Sequence, residues 1–228
     1  MNETLLNALA LIPALIVAIV FHEVSHGLVA RMLGDPTAAE QKRLSLNPLR
    51  HVDPIGTVVL PGMLALVKAP IFGWAKPVPV DKWRLRNPRY GMMAVAAAGP
   101  GSNFVLAGVG AIVLGLMARF ISGAPDDGLM LLAMALNYFI VINVFLALFN
   151  LLPIPPFDGS HIVEGLLPRN MARQYVKLRP YGFPLLFLLL LVVPWLFPQL
   201  KLIEKVLLPP AQWVGERYFQ LAALVAGA

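Results

Sequence analysis

Four stretches of this chain carry almost no charge: residues 4–30, 90–118, 128–157 and 180–200. Each reaches or exceeds the ~20 residues that a helix needs to cross the hydrocarbon core of a bilayer. The expected fold class is therefore an all-α polytopic membrane protein. At least four transmembrane helices are expected, near 4–33, 90–118, 128–152 and 181–198. Composition agrees: 58% of residues are apolar and 13% charged, and the mean hydropathy of +0.74 lies outside the usual soluble range.

The opening "MNETLL" has no Lys or Arg, so it lacks the basic region of a cleaved signal peptide, and residues 1–30 are expected to be retained. Cysteine is absent, which excludes thiolate metal sites and leaves N and O ligands for any metal. The net charge of +6 lies beside apolar spans with no basic stripe interleaved with aromatics, so no nucleic-acid partner is expected.

Cytoplasmic loops are enriched in Lys and Arg. Residues 31–90 carry a dense set, from Arg31 through Lys42, Arg50, Lys76 and Arg84 to Arg89, and residues 153–182 carry Arg169, Arg173, Lys177 and Arg179. The turn "RFISGAPDDG" sets Arg119 against Asp126 and Asp127. An outer N-terminus follows, with spans one and three ending at the cytoplasmic face. This topology requires residues 56–67, "GTVVLPGMLALV", to dip into the membrane and return on the same side, as a re-entrant segment whose β-branched start could form an extended hairpin. A true span there would scatter the basic residues over both faces. Residues 1–200 are expected to form one membrane-embedded core. The tail 201–228 reads as an amphipathic interfacial helix, a turn at Pro209 and Pro210, and another short helix.

Within the first apolar run the sequence reads "AIVFHEVSHGLVA", and between Glu3 and Arg31 the only formal charge is Glu23. Residues four apart share a helix face, so His22 and His26 can grip one cation, with Glu23 beside them. In HExxH the two histidines are metal ligands and the glutamate is the general base toward metal-bound water. A catalytic zinc takes a third protein ligand, and the candidate is Asp158 in "FNLLPIPPFDGSH", which follows span three at the same expected depth. A carboxylate at membrane depth costs ~2.5–3.5 kcal/mol on insertion scales and is kept mainly for function. His51 and His161 read as loop histidines, with His161 the reserve ligand. Asn143 and Asn150 share a face of span three and Asn103 follows "GPGS" in span two; all three are candidate substrate-binding or oxyanion-holding residues, with interhelical hydrogen bonding as the alternative.

"FHEVSH", "GPGSN" and "FNLLPIPPFDG", in this order, make residues 15–165 resemble the site-2 protease family of intramembrane zinc metalloproteases. "NPLRHVDPIGTVVLPGMLALV" with "FGWAKPVPVD" is similar to its short, minimal branch, which lacks inserted PDZ-like and nucleotide-sensing domains and forms a membrane-embedded hairpin or sheet in this region. The resemblance implies Zn2+ on His22, His26 and Asp158, Glu23 as base, and Asn150 as a helper near substrate. It also implies a membrane-protein substrate whose transmembrane helix is cut near the cytoplasmic face. The expected setting is the lipid bilayer of a bacterial or archaeal cell membrane, with the active site toward the cytoplasm. The rival readings are a metal or proton transporter with a buried His and Glu relay, and an inactive homologue that binds membrane helices.

Overall fold

The structure is a computed structural model that describes residues 3–66, 73–121 and 126–227. Val67, the last residue of the expected re-entrant segment, and residues 122–125 of the turn after span two lie outside them. The described residues are helical or irregular, with no strand among them. Four helical segments are long and apolar enough to cross a membrane: α1 (Glu3–Met32), α3 (Pro88–Phe120), α4 (Asp127–Asn150) and the longer helical path α6 (Arg169–Leu196). The chain is an integral membrane protein, all-α and polytopic. Between these lie α2 (Pro54–Leu66) and α5 (Asp158–Leu166), and the chain closes with α7 (Leu208–Ala226).

Local chemistry sets the helix starts. Asn87 accepts hydrogen bonds from the amides of Arg89 and Tyr90, with Pro88 in the first helical position. Asp126 caps α4 through the Leu129 amide. Asp53 caps α2 through the amides of Ile55 and Gly56. Each satisfies amides that have no partner inside the helix.

The core is α1, α3 and α4 in mutual contact, with α5 and α7 against α3. Lipid gives no hydrophobic drive between helices, so close backbone approach through small residues does that work. Ala10, Ala14 and Ala18 of α1 are buried at four-residue spacing. On α3, a side chain at Gly110 would meet Phe139 at 2.9 Å, and one at Gly115 would meet the Ala222 carbonyl at 2.4 Å. Asn7 accepts from the Tyr138 hydroxyl at 3.0 Å while the far end of α1 meets α5, so α1 and α4 run in the same direction and end on the same side. α3 runs opposite, since its residue 103 bonds Ala18 and its residue 95 bonds His26.

Residues 54–66 are helical, so the extended-hairpin option for that segment is not what forms. Asp53 caps it as a helix, and Gly56 packs under the Trp74 indole, 2.3 Å from where a Cβ would lie. Residues 73–81 have no regular secondary structure, and Pro77 and Pro79 hold the residues before them extended. This segment is tied to α2 by the Trp74 amide on Gly56 and to the preceding loop by the Lys76 amide on the His51 carbonyl at 2.8 Å. It is also bound to the end of α1. Asp35, fully buried, accepts from the Thr37 hydroxyl and amide and, at 2.7 Å, from the Asp81 amide. Arg84 forks onto Glu40 at 2.7 and 2.8 Å.

The tail keeps the expected order of helix, break and helix, with a short helix at Leu202–Val206 before α7. The break falls at Leu207, Pro209 and Pro210 sit in the first turn of α7, and α7 is longer than expected, 19 residues against α3 and α4. Proline is tolerated in the first turn because that amide has no helical partner.

Candidate metal centre

His22 and His26 lie one turn apart on α1, both buried. Asp158 opens α5, directly after the turn Pro153–Phe157. The His22 Nε2 atom stands 3.2 Å and the His26 Nε2 atom 3.3 Å from Asp158 Oδ2. The donor atoms of the three residues lie within 4.8 Å of one another. The two motifs expected to meet at one depth do meet.

The far side of each imidazole fixes what the near side offers. His22 Nδ1 is 2.6 Å from Asn103 Oδ1. The Asn103 amide donates to the Ala18 carbonyl and to Asn143 Oδ1, so its oxygen faces His22 and Nδ1 carries the proton. His26 Nδ1 is 2.7 Å from the Val95 carbonyl, which can only accept. In the neutral imidazoles this leaves both Nε2 atoms with their lone pairs. Asp158 Oδ2 is buried and takes no hydrogen bond. Two such nitrogens and a carboxylate oxygen converge, an arrangement that a divalent cation satisfies. Two nitrogens and one oxygen in a closely spaced set suit zinc and leave room for a water.

Gly99 makes the space. A Cβ there would lie 2.5 Å from the His26 ring and 2.6 Å from the His22 ring. Pro100 follows and lacks the amide that would bond the Ala96 carbonyl; in the same turn the neighbouring Val95 carbonyl receives His26. Gly159 plays the matching part beside Asp158, where a Cβ would strike the Leu151 carbonyl at 2.2 Å.

Glu23, half-buried beside the pair, accepts from the Val78 amide at 2.8 Å. That amide belongs to the segment 73–81, which nothing in the HExxH motif announces. A cue was present in "KPVPV": prolines at 77 and 79 force extended backbone and leave Val78 with the amide between them.

Each of the other candidates has its own partners. Asn103 and Asn143 are fully buried and spend their amides on His22, the Ala18 and Phe139 carbonyls and each other. Asn103 orients a histidine, and the bonds between α1, α3 and α4 are the interhelical role given above as the alternative. Asn150, partly buried, donates to the Leu146 carbonyl at 2.9 Å on its own helix. His161 does not join the three donors: its Nδ1 accepts from Arg179 at 3.0 Å, and Arg179 pairs with Glu164. Burial, then the Arg179 charge, pushes the His161 pKa below its ordinary value. His51 is a buried loop histidine that bonds the Ser45 carbonyl at 2.7 Å.

Residues 126–193 match the profile of peptidase family M50. Across 201 residues the chain is 38% identical to YwhC of Bacillus subtilis, a candidate zinc metalloprotease by its name, covering 85% of this chain and 87% of that one. This chain belongs to peptidase family M50, the site-2 proteases. This M50 peptidase is also similar to Rip2 of Mycolicibacterium smegmatis, 27% identical over 80% of this chain and 68% of that one. Rip2 of Mycobacterium tuberculosis strain H37Rv is 28% identical, over 80% and 70% respectively. Both carry names of the same kind. No solved structure matches the M50 chain.

Proposed function

We propose that this M50 peptidase is an intramembrane zinc endopeptidase that cuts membrane-protein substrates within or near a transmembrane segment, close to the cytoplasmic face. The observation that carries the reading is the convergence of two imidazole lone pairs and an unpartnered buried carboxylate oxygen beside Glu23, inside apolar helices. His22, His26 and Asp158 would hold the metal. When bound, zinc supplies a water of lowered pKa and polarises the scissile carbonyl.

The residues of the chain do the rest. Asn103 and Val95 hold the imidazoles in one tautomer and one orientation. Glu23 serves as the base that takes the proton of the attacking water and returns it to the leaving amine. The Val78 amide fixes one carboxylate oxygen of Glu23 and leaves the other free for that work. A substrate helix must open before cutting, because its carbonyls are bonded and shielded; Gly or Pro in the substrate eases this. The excess of Lys and Arg in residues 31–90 and 153–182, which follow α1 and α4, supports a cytoplasmic active site in a cell membrane.

The test is cleavage of labelled single-span peptides in liposomes by wild type, by Glu23→Gln and by chelator-treated enzyme. Wild type is expected to cut within the hydrophobic segment and the other two to leave the peptide whole. Cutting by Glu23→Gln at the wild-type rate would overturn the assignment of the base.

A further inference from the structure

Helix α7 carries its polarity on the wrong side for a helix in lipid. Its inner face is apolar and packed: Ala222 joins Ala111 and Ile140 in a buried cluster that Tyr218, Phe219 and Leu221 cover. Its outer face presents Gln212, Glu216, Arg217 and Gln220, all exposed. Gln212, Glu216 and Gln220 recur every four residues and so form one line along the helix.

This face lies at membrane depth. The Tyr218 hydroxyl bonds the carbonyl of Phe104 at 2.9 Å, and Phe104 stands at the middle of the 33-residue spanning helix α3. Glu216 and Arg217 are within two residues of Tyr218, or about 3 Å along the axis. A shift of α3 by several ångströms would still leave them inside a ~30 Å hydrocarbon core. Glu216 has no ion-pair partner among the described residues. Among the described residues Arg217 bonds its own helix alone, at Gln220, 2.9 Å, and it stacks on Trp213. Charged groups so placed face protein or water rather than lipid.

We propose that the outer face of α7 is a self-association surface, occupied by α7 of a second copy of this chain. The argument is charge complementarity under a topological constraint. Copies inserted in one orientation associate about an axis normal to the membrane, so facing residues must lie at equal depth. Opposite charges can then pair across the two-fold only if they lie close in depth, as Glu216 and Arg217 do. Symmetry makes the Glu216 to Arg217 pair twice, and the Gln212 and Gln220 amides, each donor and acceptor, meet their own counterparts. A groove of about 430 Å3 between α4 and α7, with Gln212 and Glu216 among its lining residues, can take side chains of the partner. A substrate helix fits this face less well. α3 turns Gly99 toward the histidines and Gly108 and Gly115 toward α7, so α3 separates the stripe from the metal centre.

The chain contains no cysteine, so single-cysteine cross-linking of the full chain in liposomes reads the surface directly. Gln212→Cys and Gln220→Cys should each convert the 24.8 kDa chain to a covalent product of doubled mass, while Leu9→Cys on the lipid face of α1 should not. In lipid nanodiscs, Glu216→Arg and Arg217→Glu should each weaken the dimer about tenfold or more, and the double exchange should restore it. Wild-type thermal unfolding of each single variant in detergent shows that it folds. A monomeric wild type, cross-linking no greater than at Leu9→Cys, capture of a different membrane protein by these cysteines, or a double exchange as weak as the singles would each overturn the proposal.

Discussion

Gly99 has no side chain, and the histidine pair occupies the space one would need. Gly99→Ala places a methyl group 2.5 Å from the His26 ring, closer than any packing adjustment of two buried imidazoles allows. The expected outcome is a folded protein with little bound zinc and little activity, measured by metal analysis of the purified variant. Asn103→Leu removes the acceptor that fixes the His22 tautomer. Partners of this kind are worth 10–100-fold in metal affinity, so zinc competition against a chelator should show a loss of about that size. Val78→Pro deletes a single N–H, at a residue that Pro79 already holds extended. Turnover should fall while zinc content stays at the wild-type level, with Val78→Ala near wild type in both. Of these residues the sequence made His22, Glu23, His26 and Asp158 legible, because ionisable groups are costly in apolar spans. It did not separate the supporting role of Asn103 from substrate binding, because both use the same amide and only its depth inside the helix packing tells them apart.

At the scale of elements, the segment 73–81 reaches Glu23 because the end of α1 holds it there. Burial raises the Asp35 carboxyl pKa, and the hydrogen bonds from Thr37 and Asp81 with the nearby Arg84 outweigh this and leave it below the ordinary value. A depressed folded value means that the contribution is complete above the unfolded value of about 3.9 and is lost as pH falls through the lower folded value. The tie should therefore be intact at neutral and mildly acid pH and fail only in strong acid. Asp35→Ala leaves the Asp81 amide and the Thr37 hydroxyl short of a partner, at a cost of roughly 1–3 kcal/mol. Faster hydrogen exchange at the amides of Val78 and Asp81, with α3 and α4 unchanged, is the expected signature. The boundaries of α3 and α4 were nearly readable from hydropathy and caps. The helical form of 54–66 was not, since β-branched residues favour strands until a cap such as Asp53 decides otherwise.

For the whole molecule, a metal that binds the folded state alone adds to its stability in proportion to the logarithm of its concentration over its dissociation constant. Chelation should lower the melting temperature of wild type and leave that of Asp158→Ala unmoved, a comparison that thermal scanning in detergent makes directly. The four spans could be read from length and hydropathy. The place of α7 beside α3 could not, because Gln212, Glu216, Arg217 and Gln220 dilute its apolar character and the contact with Gly115 is set by shape rather than hydropathy. The seam of Ala10, Ala14 and Ala18 carries a consequence for how this chain tolerates change. Replacing any of them with leucine raises the hydrophobicity of α1 and so would look harmless in a membrane segment, yet it should be among the most damaging substitutions. Leu9 and Ile16, a residue or two away and facing lipid, should accept almost any apolar residue. A saturation library of α1 would then show bands of intolerance about every four positions, centred on the smallest residues and not on the greasiest.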